Sequence, residues 1–132
     1  VFDMGTGTGV LAILAEKRGA NSILAVDNDP WCVENTKENI GLNQCEYISA
    51  ELDDSVPTNK KFDLVLANIN RNVLLEQIGV YGQILTPSGD LLLSGFYVED
   101  MGIIQNACEA EGFRFIRNFE QNEWVAAHFI QL

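Results

Sequence analysis

The stretch Val1-Phe2-Asp3-Met4-Gly5-Thr6-Gly7-Thr8-Gly9 decides the fold. Two apolar residues and an acid run into three glycines at alternate positions, and an apolar run follows from Val10 to Ala15. This reads as the end of a buried strand, a tight loop, and a helix packed back on the strand. Glycine lacks the Cβ that would hold a ligand away from backbone N–H groups. The helix directs its positive dipole end and its unpaired N–H groups into the same space. A dinucleotide site calls for Gly-x-Gly-x-x-Gly, whereas the spacing here is Gly-x-Gly-x-Gly. Asp3, just ahead of the loop, is a poor neighbour for a pyrophosphate and a good one for a ligand ammonium. Eighteen residues after Gly9, Asp27 closes a second apolar run, Ile23 to Val26. An acid at about that distance is placed to hydrogen-bond ribose hydroxyls. Loop and acids together call for an amino-acid-bearing nucleoside.

With 132 residues the chain is long enough for one domain with one core, and its 47% hydrophobic content is that of an ordinary globular protein. The formal charge of −11 disfavours a nucleic-acid backbone as partner and is compatible with a basic protein substrate. No apolar run is long enough to span a bilayer, and the start has no signal-peptide pattern. Cys32, Cys45 and Cys108 are odd in number and form no Cys-x-x-Cys, so they read as small apolar residues of a reducing compartment, with cytoplasm as the expected location. The first residue is not Met and already lies within a strand, so the chain is expected to be a fragment of a longer protein, residues 1–132 forming a single domain with an upstream segment absent.

Taken in order, the first helix is expected from Gly9 to Arg18, with Gly19 as its stop. Asn28-Asp29-Pro30 starts a second helix, Asp29 capping and Pro30 in the first turn, with Gly41 beyond its end. Cys45 to Ile48 is a short third strand, and Glu51 to Lys61 a loop. Phe62 to Ala67 is a fourth strand, followed at once by Asn68. Leu74, Ile78, Tyr81 and Leu85 mark one helical face, which Gly79 and Gly82 are expected to bend or interrupt. Pro87-Ser88-Gly89 is a turn before a fifth strand, Asp90 to Phe96. A helix with Ile104 and Cys108 buried leads to a hairpin, Phe113 to Glu120 and Glu123 to Ile130, joined by Gln121-Asn122. Strand and helix thus alternate five times before a hairpin. The fold class is α/β, a Rossmann-like doubly wound and mostly parallel sheet of about seven strands ending in an antiparallel hairpin. Ligands of such sheets bind beyond the carboxyl ends of the strands.

At those ends stand Gly5 to Gly9, Asp27 with Asn28 beside it, Ser49 to Glu51, and Asn68. Asn68 is placed to orient an amine; it could equally cap a helix. Ser49 and Glu51 either meet an adenine or are solvated surface, and Arg71 reads as a solvated helix start or as the lining of an acceptor entrance. Trp124 and His128 read as packing residues. A lone His without a Cys or acid cluster offers neither a metal site nor a nucleophilic triad.

Asp3-Met4-Gly5-Thr6-Gly7-Thr8-Gly9-Val10-Leu11-Ala12-Ile13, Val26-Asp27-Asn28-Asp29-Pro30-Trp31, Leu66-Ala67-Asn68-Ile69, Leu91-Leu92-Leu93-Ser94-Gly95 and Glu123-Trp124-Val125-Ala126 resemble the ribosomal protein L11 methyltransferases. The similarity covers nearly the whole chain. After Asn68-Ile69 the family usually continues with small or apolar residues, where this chain has Asn70-Arg71-Asn72. The resemblance implies S-adenosylmethionine as cofactor, S-adenosylhomocysteine as product, and methylated amines of a basic ribosomal protein, on lysine side chains and the amino terminus. It implies cofactor contacts at Gly5, Asp27 and Asn68; position at the loop and strand ends adds Asp3, Thr6, Gly7, Gly9, Asn28 and Glu51 as expected cofactor-binding residues, with Asn68 also the expected catalytic residue. Three other readings stay open: a methyltransferase for another protein or a small molecule, a nicotinamide-dependent oxidoreductase, and a non-catalytic nucleotide-binding module. A simple test with NAD separates the second from the others.

Overall fold

The computed structural model describes residues 1–132, which divide into two units, Val1–Ser55 and Val56–Leu132. In the first unit the order is β1 (Phe2–Met4), α1 (Val10–Lys17), β2 (Ile23–Asp27), α2 (Pro30–Leu42) and β3 (Ile48–Leu52). The three strands are parallel, in the order β3-β2-β1. Every residue of β1 and β2 is buried, which is why neither shows the polar–apolar alternation of a half-exposed strand. Ala12, Ile23 and Ala25 form a core on which Ala15, Ala20 and Ile48 pack. Gly19, at φ 110°, ends α1 as expected. Asp29 Oδ1 accepts the Trp31 N–H at 2.9 Å, and Pro30 opens α2.

Two expectations for this unit are corrected. Gly41 lies inside the last turn of α2, not beyond it. The third strand starts where it was expected to finish: Cys45 gives its N–H to Ile40 O at 3.0 Å and closes α2, so pairing with β2 runs from Ile48 to Leu52. Only half-buried or exposed residues make up β3, so no apolar run betrays it.

The second unit holds β4 (Phe62–Asn68), α3 (Arg71–Ile84), β5 (Leu85–Tyr97), a 3-10 turn (Val98–Asp100), α4 (Met101–Ala110), β6 (Phe113–Gln121) and β7 (Trp124–Gln131). Its strands run in the order β4-β5-β7-β6, the first pair parallel and the others antiparallel. Leu74, Ile78, Tyr81 and Ile84 bury one face of α3, and Ile104 and Cys108 that of α4. The helix α3 runs uninterrupted through Gly79 and Gly82, where the sequence suggests a bend or break.

No helix lies between β3 and β4, so strand and helix do not alternate five times. The turn at Pro87-Ser88-Gly89 is not the boundary of β5 but an irregularity inside it. Leu85 pairs with Phe62 and Asp90 with Leu64, so the residues between bulge out opposite Asp63. A Cβ on Gly89 would stand 2.9 Å from Thr86 O, which explains the glycine there. The hairpin turn is Asn122-Glu123, at φ 52° and 70°, one residue later than expected. Both angles are positive, as a type I′ turn requires, though glutamate is an unusual second residue. No helix is long and apolar enough to cross a membrane.

Candidate functional site

The first unit builds a rigid loop between β1 and α1. Gly5, Gly7 and Gly9 have φ of 71°, 61° and 83°, a region side chains rarely enter. The N–H groups of Gly5 and Thr6 both donate to Val26 O at 2.9 Å. Gly7 donates to Asp27 Oδ2 at 2.9 Å, and Gly9 to Thr6 O at 2.9 Å. These four amides therefore hold the loop together instead of reaching for a ligand, which modifies the expectation drawn from the glycines. From the other side α2 takes the carbonyls: Thr36 Oγ1 donates to Gly7 O at 2.9 Å and Asn39 Nδ2 to Thr8 O at 2.8 Å. A Cβ on Gly9 would meet Thr36 Cγ2 at 2.8 Å, whereas one on Gly7 would meet nothing within 4 Å. The open face of the loop is therefore at Gly7. No side chain caps the N-terminus of α1, so its dipole is not neutralised there.

The acids divide by burial. Asp3 is 1% exposed; its Oδ2 accepts the Thr6 hydroxyl at 2.7 Å, and Oδ1 has no partner in hydrogen-bond geometry. Burial pushes its pKa up to about 6; the Thr6 hydroxyl and the Ala12 N–H pull it down, and the Asp27 carboxylate adds a smaller upward push. Asp3 thus lies beneath the loop as its support. Asp27 ends β2, with Oδ2 on Gly7 N–H and Oδ1 on Asp29 N–H at 3.0 Å. A carboxylate has roughly four acceptor positions, so about two remain after these bonds. Asn28 is exposed beside it. Glu51 pairs in register with Val26, which brings it to the same strand ends, and it accepts the Ser49 hydroxyl at 3.4 Å. Both lie within β3 and are exposed. Thr36 and Asn39 were missed as site residues; the available signal was a hydroxyl on the buried stripe of a helix following a glycine loop.

The second unit carries a pocket of about 780 Å³ at the end of β4 and β5, lined among others by Asn68, Asn70, Ser94, Phe119, Trp124 and Ala126. Asn68 pairs in register with Ser94. The helix-capping role open to Asn68 falls instead to Asn70, whose Oδ1 accepts the Val73 N–H at 3.1 Å. Asn68 is left exposed at the pocket. Gly95, at φ 91°, lets the chain pass: a Cβ there would stand 2.7 Å from Ile69 O and 2.8 Å from Asn68 Oδ1. Trp124 is not a packing residue. It is 48% exposed, lies 4.3 Å from Tyr97 ring to ring, and faces the pocket. His128 is a satisfied strand residue, Nε2 lying 2.8 Å from Asp90 Oδ1. Arg71 neither lines this pocket nor is simply solvated: its Nη1 donates to Asp100 Oδ1 at 2.8 Å, tying the start of α3 to the 3-10 turn.

The family model for ribosomal protein L11 methyltransferase (PrmA) matches residues 1–131. The ribosomal protein L11 methyltransferase of Phocaeicola vulgatus is 45% identical over 132 residues, covering 98% of this chain and 47% of that protein. The one from Porphyromonas gingivalis is 45% identical over 131 residues, covering 98% and 45%. The chain thus spans about half the length of the curated relatives it matches. Among solved structures, ribosomal protein L11 methylase from Lactobacillus delbrueckii subsp. bulgaricus superposes with a TM-score of 0.94 at 29% identity, covering 99% of this chain and 69% of that one. The expected fold class is therefore the observed one, a Rossmann-like, mostly parallel α/β fold of seven strands with an antiparallel end. On the match of the family model along its length, the chain belongs to the ribosomal protein L11 methyltransferase family.

Proposed function

We propose that the protein is an S-adenosylmethionine-dependent methyltransferase that N-methylates amines of a basic ribosomal protein, lysine side chains and the amino terminus, with residues 1–132 as its cofactor-binding catalytic domain. The observation that carries this reading is the loop: pinned from beneath by Asp3 and from the side by Thr36, it has open space at Gly7, beside the Asp27 carboxylate. An amino-acid-bearing nucleoside fits those groups. Gly5 to Gly9 receive the methionine end, with Thr6 held by Asp3. Asp27 offers its remaining acceptor positions to the ribose hydroxyls, while Asn28 and Glu51 flank the adenine. Asp3, being buried, acts on the ligand ammonium through its field and through Thr6 rather than by contact.

S-adenosylmethionine supplies an already activated methyl group, which passes in line from sulfur to the nitrogen lone pair of a neutral amine and leaves S-adenosylhomocysteine. The residues then have to supply alignment more than activation. Asn68 orients the amine through its side-chain oxygen, and Trp124 and Phe119 receive the aliphatic stem of the acceptor. The amine proton leaves to water, since the pocket lining contains no residue suited to act as a base apart from Glu120 at its rim.

The test is transfer of labelled methyl from S-adenosylmethionine to ribosomal protein L11 by the full-length protein. Transfer to amines of that protein, lost in Asn68→Ala while cofactor affinity falls far less, is the expected result. Transfer to small amines alone, or full activity in Asn68→Ala, contradicts the assignment.

A further inference from the structure

Beside the acceptor pocket lies a second groove, of about 610 Å³, lined by Tyr97, Val98, Glu99, Glu120 and Glu123. Glu120 lines both, so the two adjoin. The groove's aromatic residue, Tyr97, is 43% exposed and stacks on Trp124, which is 48% exposed and, with Phe119 at 64%, lines the adjoining acceptor pocket. Val98 N–H donates to Glu123 O at 2.8 Å, which holds the 3-10 turn against the hairpin and fixes both walls.

The rim is charged and has no internal counter-charge. Glu99, Glu120 and Glu123 are all exposed, and none takes part in an ion pair. They are too dispersed to converge on one metal ion. Of the two cations nearby, Arg71 is already paired with Asp100 at 2.8 Å, and Arg117 has its guanidinium carbon 5.4 Å from the centre of the Phe119 ring, so the aromatic surface already takes a cation on one of its faces. Spaced carboxylates over open aromatic rings match a string of ammonium or guanidinium groups on an extended chain. A phosphate backbone would be repelled by the same rim.

We infer that this groove docks a lysine- or arginine-rich peptide segment, the stretch flanking the amine that enters the acceptor pocket. The inference rests on the reading of the protein as a protein methyltransferase and adds to it where the substrate is held. Glu99, Glu120 and Glu123 set the preference for basic sequence, while Tyr97 and Trp124 receive the aliphatic stems of the same side chains.

The probe is a capped hexalysine peptide, titrated against the 132-residue chain carrying Trp31→Phe, which leaves Trp124 as the single tryptophan reporter. Binding is expected to perturb Trp124 fluorescence and to weaken as salt rises. The combined variant Glu99→Gln, Glu120→Gln, Glu123→Gln is expected to raise the Kd at least tenfold. The control Glu38→Gln, Asp54→Asn, Glu76→Gln removes equal charge elsewhere and is expected to leave it within twofold. Glu99→Gln alone, on an exposed side chain, is expected to raise it about threefold and serves if the triple variant does not fold. No hexalysine binding, or an equal loss in the control, overturns the inference. S-adenosylhomocysteine is titrated against the same proteins. A chain that binds it but not hexalysine loses the docking groove alone, whereas one that binds hexalysine but not S-adenosylhomocysteine loses the cofactor reading.

Discussion

The glycine loop and the acceptor pocket reach their geometry by opposite routes. In the loop nearly every interaction joins backbone to a residue within the first 39 positions: Gly7 N–H to Asp27, Gly7 O to Thr36, Thr8 O to Asn39. The chemistry is carried by the absence of side chains and by one acid at each strand end, so it is written locally and in order. The pocket draws Asn68, Ser94, Phe119 and Trp124 from four strands, brought together by register alone. A site made by backbone can be read from spacing. A site made by pairing cannot be read until the pairing is known.

The largest effects expected are those that break each region at its tightest glycine. Gly9→Ala forces a Cβ against Thr36 at φ 83° and is expected to cost about 4 kcal/mol, read as a lower urea midpoint. Gly7→Ala has a similar φ of 61° but open space, and is expected to cost only about 1 kcal/mol while sharply weakening S-adenosylhomocysteine. Equal costs would show that conformation, not the contact with Thr36, dictates the loop. In the pocket, Gly95→Ala drives against Ile69 O and Asn68 and is expected to cost about 4 kcal/mol and to abolish methyl transfer with cofactor affinity kept.

Next in size is a pH effect confined to the loop. Burial raises Asp3 from 3.8 to about 6, so the folded state binds its proton more tightly than the unfolded one. Its contribution is fully present below pH 3.8 and is lost as pH rises through about 6, roughly 3 kcal/mol in all. The stability of the parent minus that of Asp3→Asn is therefore expected to fall by about that amount between about pH 4 and pH 7. A flat difference, measured by urea unfolding, would mean Asp3 is not confined as described. Smallest is the contrast between the tryptophans. Trp124→Ala is expected to cost about 1 kcal/mol through its lost stacking on Tyr97 and to impair transfer. Trp31, 84% exposed, is expected to tolerate Phe within about 0.5 kcal/mol.

The same division explains what could be read in advance. The loop, Asp27, the Asp29 cap and the apolar strands β1, β2 and β4 were legible because each has a local cause. The third strand was misplaced because a half-exposed strand leaves no apolar run, and because Cys45 spends its N–H on closing α2. The start of β5 was hidden by a bulge whose Pro87-Ser88-Gly89 looks like an ordinary turn. Trp124 reads as packing in the sequence because β7 is apolar on both faces, and only its pairing with Tyr97 reveals that it faces a pocket. Asp3 stands just ahead of the loop in the sequence, but its burial beneath Thr6 depends on how α1 packs.

Calorimetric titration of the protein with S-adenosylhomocysteine and, in parallel, with NAD separates a methyltransferase cofactor site from a dinucleotide site. S-adenosylhomocysteine is expected to bind, weakened strongly by Gly7→Ala, and NAD is expected not to bind. Binding of NAD alone, or of S-adenosylhomocysteine with full affinity in Gly7→Ala, would contradict the cofactor reading.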